Sequence, residues 1–285
     1  MFKISLCISL FSCTAMLSYA DSATKLISNA TTEIPLLGLD LSLSITWAEI
    51  GDSLVNGAQA TIQGKTYIMQ TCYERALDLD PQFAEVWVRL GKCCSINGTQ
   101  ATVQGKVYSD RDCFKHALEI DPLYVRALCM VGTYLAPGEL ITVQEKTYSQ
   151  QECFKRCLEL DPFHAQAWIC LGIGLAPGEQ VTVQEKTYNA QTCYEHALEL
   201  NPDLCIGWDC LGNCLTAGMN ATVHGKIYSR KECFQRALEI DPLHDVRAWF
   251  QLGHCLSPRE HVTVQGKVYS KQECFQRGKG YKPKK

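Results

Sequence analysis

The sequence is short of positive charge: 27 Lys and Arg stand against 30 Asp and Glu in 285 residues, a formal net charge of -3. Such a balance supplies no concentrated basic field, which excludes whole-chain electrostatic attraction to nucleic acid or to anionic lipid. The one basic cluster is the tail KGYKPKK, residues 279–285, which a solvated terminus explains. Long hydrophobic runs are also lacking. Beyond the first twenty residues no stretch approaches the ~20 apolar residues of a spanning helix. Metal-ligand spacings of the C-x2-C and H-x3-H kind are missing as well. Cys153/Cys157 and Cys210/Cys214 are i, i+4 pairs on helices, but two ligands do not make a site. No nucleophile is paired with a base, so no catalytic residue, metal or cofactor is assigned. The histidines, among them His116, His164, His196 and His244, fall on variable helix or turn positions and read as surface groups.

Two features are abundant. At the N-terminus, MFKISLCISLFSCTAMLSYADS has one Lys and an apolar run from Ile4 to about Leu17, followed by Ser18 and Ala20 at the small-residue spacing of a cleavage site. A signal peptide over residues 1–20 is expected, and with it export of the mature chain as a secreted or periplasmic protein. The alternative is a lipid anchor to an envelope membrane: Leu10, Phe11, Ser12 and Cys13 resemble a lipobox, although Phe11 fits poorly. The second abundance is repetition. Cys72, Cys113, Cys153, Cys193, Cys233 and Cys274 recur every 40 or 41 residues, each followed by Tyr or Phe. Behind them come RALDLDP, HALEIDP, RCLELDP, HALELNP and RALEIDP, ending at Pro81, Pro122, Pro162, Pro202 and Pro242. All five Trp, at 47, 87, 168, 208 and 249, share one register, with Leu128 in the remaining place. Each is followed by an apolar residue and Gly three and four positions on, as in Leu171-Gly172.

These residues resemble the tetratricopeptide repeat, whose pattern is met in one copy by Trp168, Leu171, Gly172, Leu175, Tyr194, Ala197 and Pro202. The period departs from the family, 40 residues instead of 34. The resemblance implies an all-α chain, an α-α superhelix or solenoid of about six repeats over residues 44–278. Residues 21–43 form a degenerate N-terminal cap. Helix A carries Trp168, Leu171 and Leu175 on one face, with Gly172 letting a neighbouring helix approach. Helix B buries Tyr194, Ala197, Leu198 and Leu200 and turns Glu195, His196 and Glu199 to water. Asn201-Pro202 ends it.

The extra residues lie between the helices. ITVQEKTY, VTVQEKTY, ATVHGKIY, VTVQGKVY, ATVQGKVY and ATIQGKTY alternate apolar residues about a polar centre, a hairpin signal. Gly in that centre suggests positive φ, but Glu145 and Glu185 share its place and leave the turn type open. Ser149/Glu152, Ser229/Glu232, Ser270/Glu273 and Ser109/Asp112 then read as capping boxes that start helix B. Stacked helices 8 to 10 Å apart match two strands of ~4.8 Å, so successive hairpins are expected to pair into one narrow sheet. At the C-terminus Gly278, Lys279 and Gly280 replace Ala, Leu and Glu, giving a solvated last face.

Seventeen cysteines in an exported chain raise the question of disulfides. Register-equivalent cysteines at helix spacing are too far apart to bridge. Cys157 and Cys205 occupy places held elsewhere by Ala, so packing is the leading account. The sequons at Asn29, Asn97 and Asn220 matter only in a eukaryotic secretory pathway.

The resemblance implies a non-catalytic scaffold that binds a peptide or protein partner in a concave groove lined by helix A, with no nucleic acid. Helical spacing from each Trp nominates Glu85, Val88 and Lys92 in one copy and Arg126 and Thr133 in the next. Gln166 and Ile169 follow, then Asp209 and Asn213, then Arg247, Phe250 and His254. The carboxylate clamp of chaperone-binding members has no counterpart here. Two further readings stand beside this one: a secreted, disulfide-stapled cysteine-rich helical repeat with host-directed or enzymatic activity, and a scaffold of an envelope assembly should Cys13 be acylated.

Overall fold

The computed structural model describes residues 31–33, 40–54, 57–136, 138–216, 218–243 and 246–279. The signal segment, Cys13, the Asn29 side of its sequon, His244, Gly280 and the rest of the tail lie outside them. Strand β1 (Thr31–Glu33) comes first. The first repeat follows as α1 (Ser44–Ser53), β2 (Gln59–Ile62), β3 (Lys65–Tyr67) and α2 (Met69–Leu79). The second is α3 (Ala84–Asn97), β4 (Ala101–Val103), β5 (Lys106–Tyr108) and α4 (Asp110–Ile120). The third is α5 (Val125–Tyr134), β6 (Leu140–Val143), β7 (Lys146–Ser149) and α6 (Gln150–Leu160). The fourth is α7 (Ala165–Gly174), β8 (Gln180–Val183), β9 (Lys186–Asn189) and α8 (Ala190–Leu200). The fifth is α9 (Cys205–Cys214), β10 (Asn220–Val223), β11 (Lys226–Ser229) and α10 (Arg230–Ile240). The last is α11 (Val246–Cys255), β12 (His261–Val264), β13 (Lys267–Ser270) and α12 (Lys271–Arg277). Each repeat is thus a tetratricopeptide-like helix pair with an antiparallel hairpin inserted between its helices. The chain divides into two compact units, Met1–Cys153 and Phe154–Lys285, with the division inside α6.

The recurrent residues each have a mechanical task. The five Trp are buried, at 1 to 7% exposure. Each indole N–H reaches back to the turn before its helix: Trp87 to Pro81 O at 2.8 Å, Trp168 to Pro162 O at 2.9 Å and Trp208 to Pro202 O at 2.8 Å. In that turn the Asp or Asn carboxyl or amide oxygen accepts the backbone N–H two residues on, as Asp161 does from Phe163 at 3.1 Å. The Asp-Pro pair therefore ends helix B and shapes the entry to helix A. The hairpin Tyr then closes over the Trp of its own repeat, with ring centroids 4.5 Å apart for Trp168 and Tyr188 and 4.7 Å for Trp208 and Tyr228. Full burial of a large apolar side chain contributes about 1.5–3 kcal/mol, so this layer is a main source of cohesion within a repeat.

Helix B seats its aromatic ring on the helix A glycine. A Cβ on Gly172 would lie 2.6 Å from Tyr194 Cε1, and one on Gly212 would lie 2.9 Å from Phe234 Cε1. The capping boxes form at Ser109/Asp112, Ser229/Glu232 and Ser270/Glu273. Ser149 Oγ accepts from Glu152 N at 3.2 Å. A further box, Asn189/Thr192, starts α8. Two helix B expectations change. The place of Leu200 is only half-covered, with Leu79 at its register position 50% exposed. His196 lies edge-on to Trp168 at 4.8 Å, and His116 to Trp87 at 4.6 Å, where Arg236 and Arg277 stand over the Trp rings of the last two repeats.

The hairpins correct one expectation and complete another. Both central residues of each turn have positive φ, for example Gln104 at 48° and Gly105 at 75°, which is the type I′ geometry that suits the twist of two strands. Glu145 and Glu185 are held at 68° and 66°. The continuous sheet does not form among the described residues: the later hairpins are separate two-stranded sheets. The space beside the hairpins is already occupied. In the second, fifth and sixth repeats the outer edge of the first strand lies along the preceding helix B, whose side chains satisfy it. Thr102 N donates to Glu74 Oε1 at 2.9 Å, Thr222 N to Glu195 Oε1 at 3.1 Å, and Gln235 Nε2 donates to Thr263 O at 2.7 Å. The turn glutamine completes the junction by capping that helix, Gln144 Nε2 reaching Glu119 O at 2.7 Å and Gln265 Nε2 reaching Glu239 O at 3.0 Å.

Candidate interaction site

Because helix A is amphipathic, one stripe packs on helix B and the residues at W-2, W+1 and W+5, counted from the register Trp, turn toward the neighbouring helix A. In the second compact unit this contact has a regular offset. Arg247, at W-2 of α11, pairs with Asp209, at W+1 of α9. Gln251, at W+2, donates to Asn213 Oδ1, at W+5, over 3.2 Å. The first unit repeats the rule: Asp52, at W+5 of α1, pairs with Arg89, at W+2 of α3. Tyr73 OH donates to the same carboxylate at 2.8 Å, and Arg89 also holds Glu85 at 2.7 Å. The α1–α3 and α9–α11 pairs are therefore stitched by polar groups one turn out of step.

This geometry sorts the nominated residues. Val88, Thr133, Ile169 and Asp209 are buried, each at 2% exposure or less, and do not line an open face. Spacing from Trp gave their side of the helix correctly, but W+1 and the end of α5 are where helices touch. Thr133 Oγ1 bonds back to Cys129 O at 2.7 Å, and Asp209 is committed to Arg247. Phe250 and His254 pack on the last helix, with Phe275 at ring distances of 5.6 and 5.0 Å. Asn213 and Arg247 face outward or partly so but serve the stitching described above. Glu85, Gln166, Lys92 and Arg126 remain as half-buried or exposed groups.

Lys92 departs from the stitching rule. It stands at W+5 of α3, the place of Asp52 and Asn213, but W+2 of the next helix is Met130. Burial first, and then the Arg126 guanidinium, lowers the Lys92 amine below the ordinary lysine range. No carboxylate lies within ion-pair distance of it among the described residues. Arg126 is 61% exposed and holds Glu85 only at 3.8 Å. The α3–α5 face thus presents two cations, one of them desolvated and with no carboxylate of the described residues within ion-pair distance.

Cys72, Cys93, Cys94, Cys113, Cys193, Cys233, Cys255 and Cys274 carry free thiols. The six register cysteines are completely buried against the helix A layer. Burial pushes Cys72, Cys193 and Cys233 up to about 12, so they sit protonated at neutral pH. No described helix is long and apolar enough to cross a membrane.

No protein-family model matches the chain, and no curated protein matches it in sequence. Among solved structures it is similar to the MamA protein, at 18% identity over 70% of this chain and 92% of that one, with a TM-score of 0.39. It is also similar to YrrB, described as a TPR protein with an unusual peptide-binding site, at 16% identity over 80% and 93%, with a TM-score of 0.40. At that level of overlap the description of the fold rests on the helix pairs themselves.

Proposed function

We propose that the chain is a non-catalytic interaction scaffold, and that the α3–α5 face of its first compact unit takes an acidic side chain or terminal carboxylate of a peptide partner. The six internal copies support the scaffold reading. Positions that hold the repeat together recur: the Trp layer, the Gly seat, the ring on it, the cap and the Asp-Pro turn. Positions left open on the helix A face change from copy to copy, with Glu85, Arg126 and Gln166 at one register position and Lys92 beside them at another. A surface of that kind distinguishes a specific ligand from a repetitive polymer. The observation that carries the finer reading is Lys92, a desolvated amine beside Arg126 that pairs with no carboxylate among the described residues. A ligand carboxylate between the two would form a charge-assisted hydrogen bond in a partly dry site.

Panning a random peptide library against the full chain tests this. Enrichment of an acidic residue, lost when Lys92→Glu and Arg126→Glu are combined without a change in melting temperature, is the expected result. Enriched peptides lacking any acid, or unchanged capture by the double variant, would refute it. Export after cleavage near Ala20 belongs to the same proposal. Recovery of the cellular protein with Met1 still in place refutes that part.

A further inference from the structure

In the second, fifth and sixth repeats the outward backbone of the first hairpin strand is satisfied by Glu or Gln side chains of the preceding helix B, through Thr102, Thr222 and Thr263. Among the described residues no helix B precedes the first hairpin. Its register equivalent is Thr61, on β2. There β1 takes the edge instead, parallel to β2, with Thr31 opposite Gln59, Thr32 opposite Ala60 and Glu33 opposite Thr61. The same edge is therefore met by side chains from a folded helix in one setting and by the backbone of a three-residue strand in the other.

We infer that the β2 edge is a strand-acceptor site, that β1 is its tethered occupant, and that an extended, β-branched segment of a partner protein binds there parallel to β2 by displacing β1. Three features support the assignment. The site recognises backbone, because what it exchanges is N–H and C=O groups, and the occupant it holds is the β-branched pair Thr31-Thr32. β1 is short, so few hydrogen bonds hold it, and its advantage over a partner is the tether to Asp40, which raises its local concentration to the millimolar range. The hairpin beneath does not depend on β1. By register with Thr102, the Thr61 N–H faces outward, and β2 keeps its own antiparallel pairs to β3, from Ala60 with Tyr67 to Ile62 with Lys65. Occupied, the edge is protected from aggregation; vacated, it is an interface distinct from the Lys92 face.

The test uses the full chain and a fluorescein-labelled synthetic peptide with the sequence of residues 29–35, Asn-Ala-Thr-Thr-Glu-Ile-Pro. Thr32→Pro removes an N–H and restricts the backbone of β1, leaving the edge open. A wild-type edge open a tenth of the time or less binds the probe about tenfold more weakly than an open one. The expected result is therefore about tenfold tighter binding to Thr32→Pro than to wild type. Adding Thr61→Pro, which deletes the outward donor of β2 and spares the hairpin ladder, abolishes that binding. Equal or no binding by wild type and Thr32→Pro, or binding that survives Thr61→Pro, overturns the proposal. Hydrogen exchange at the Thr61 amide is an independent reading. It is slow in wild type and fast in Thr32→Pro if β1 holds the edge, and fast exchange in wild type overturns the inference.

Discussion

Replacing Gly212 by Ala is the most informative single change, because two effects of known size oppose each other and the structure decides which wins. Gly to Ala in a helix interior stabilises by about 1 kcal/mol through propensity. Against this, the new Cβ would lie 2.9, 3.0 and 3.1 Å from three atoms of the Phe234 ring. That ring is fully buried and cannot withdraw. Overpacking of this kind costs about 1–3 kcal/mol, and with the ring unable to move the cost falls in the upper part of that range, about 2–3 kcal/mol, so Gly212→Ala is expected to destabilise by about 1–2 kcal/mol net. Gly253 offers the contrast. Its Cβ would meet Phe275 at 2.8, 2.9 and 3.2 Å, but Phe275 is half-buried on the final seven-residue helix and has room to move. Gly253→Ala should therefore be neutral or slightly stabilising despite nearly identical distances. Urea unfolding followed by tryptophan fluorescence measures both. Combining Gly212→Ala with Phe234→Leu should cost at least about 1 kcal/mol less than the sum of the single changes, since the smaller side chain relieves the contact. If Gly212→Ala is as stable as wild type, or the double change shows no coupling, the seat-and-ring account of the repeat is wrong.

Three other outcomes are expected. Glu145→Gly and Glu185→Gly relieve a left-handed conformation that costs a non-glycine residue about 1–2 kcal/mol, offset by about 0.4–1 kcal/mol of unfolded-chain entropy. Each should raise stability by a few tenths to about 1 kcal/mol, and Gly105→Glu should lower it; thermal melts showing the reverse order would reject the type I′ assignment. Ser229→Ala should cost about 1 kcal/mol by removing the N-cap. Hydrogen bonds from Ser229 hold the Glu232 carboxyl below its ordinary range, so that part of the stability is present above the ordinary glutamate pKa and lost as pH falls through the lowered one. The Ser229→Ala difference should therefore shrink in acid, and a constant difference from neutral pH to strong acid would contradict this. Finally, Cys72, Cys193 and Cys233 are raised from 9.0 to about 12, so the unfolded chain ionises first on the alkaline side and stability falls between those values, by up to about 1.4 kcal/mol per pH unit for each thiol. Iodoacetamide at pH 8 should leave these thiols unmodified in the native chain and alkylate them after denaturation. Rapid native labelling would show them exposed.

Much of this was legible in the residues themselves. The Trp, Gly, aromatic and Asp-Pro positions announced the helix pairs, because burying one stripe of a helix demands a fixed period. The hairpins and most caps were legible for the same reason: alternation and the Ser-x-x-Glu spacing act over a few residues. Asn189 with Thr192 escaped because that pattern requires Glu or Gln at the third position, and Thr performs the same bond. The nominated face was only half right. Spacing from Trp locates a side of the helix, but it does not say how far the next helix advances along it. The one-turn offset buried Val88 and Asp209 and left Lys92 with Met130, which carries no charge, at the register position where Arg89 and Gln251 supply partners elsewhere.

The sequence by itself determined the local and periodic features: where helices start and stop, which residues the repeat buries, and that forty residues must contain a hairpin. These follow from interactions a few residues apart, copied six times. The tertiary structure alone decided what lies against each exposed edge and face. Side chains of one repeat satisfy the hairpin of the next, β1 takes their place at the first described repeat, and Lys92 meets the cation Arg126 of the next helix A rather than a carboxylate. Such contacts join residues some thirty or forty positions apart, and their partners follow from the advance and rotation between helix pairs, which no spacing within one repeat encodes.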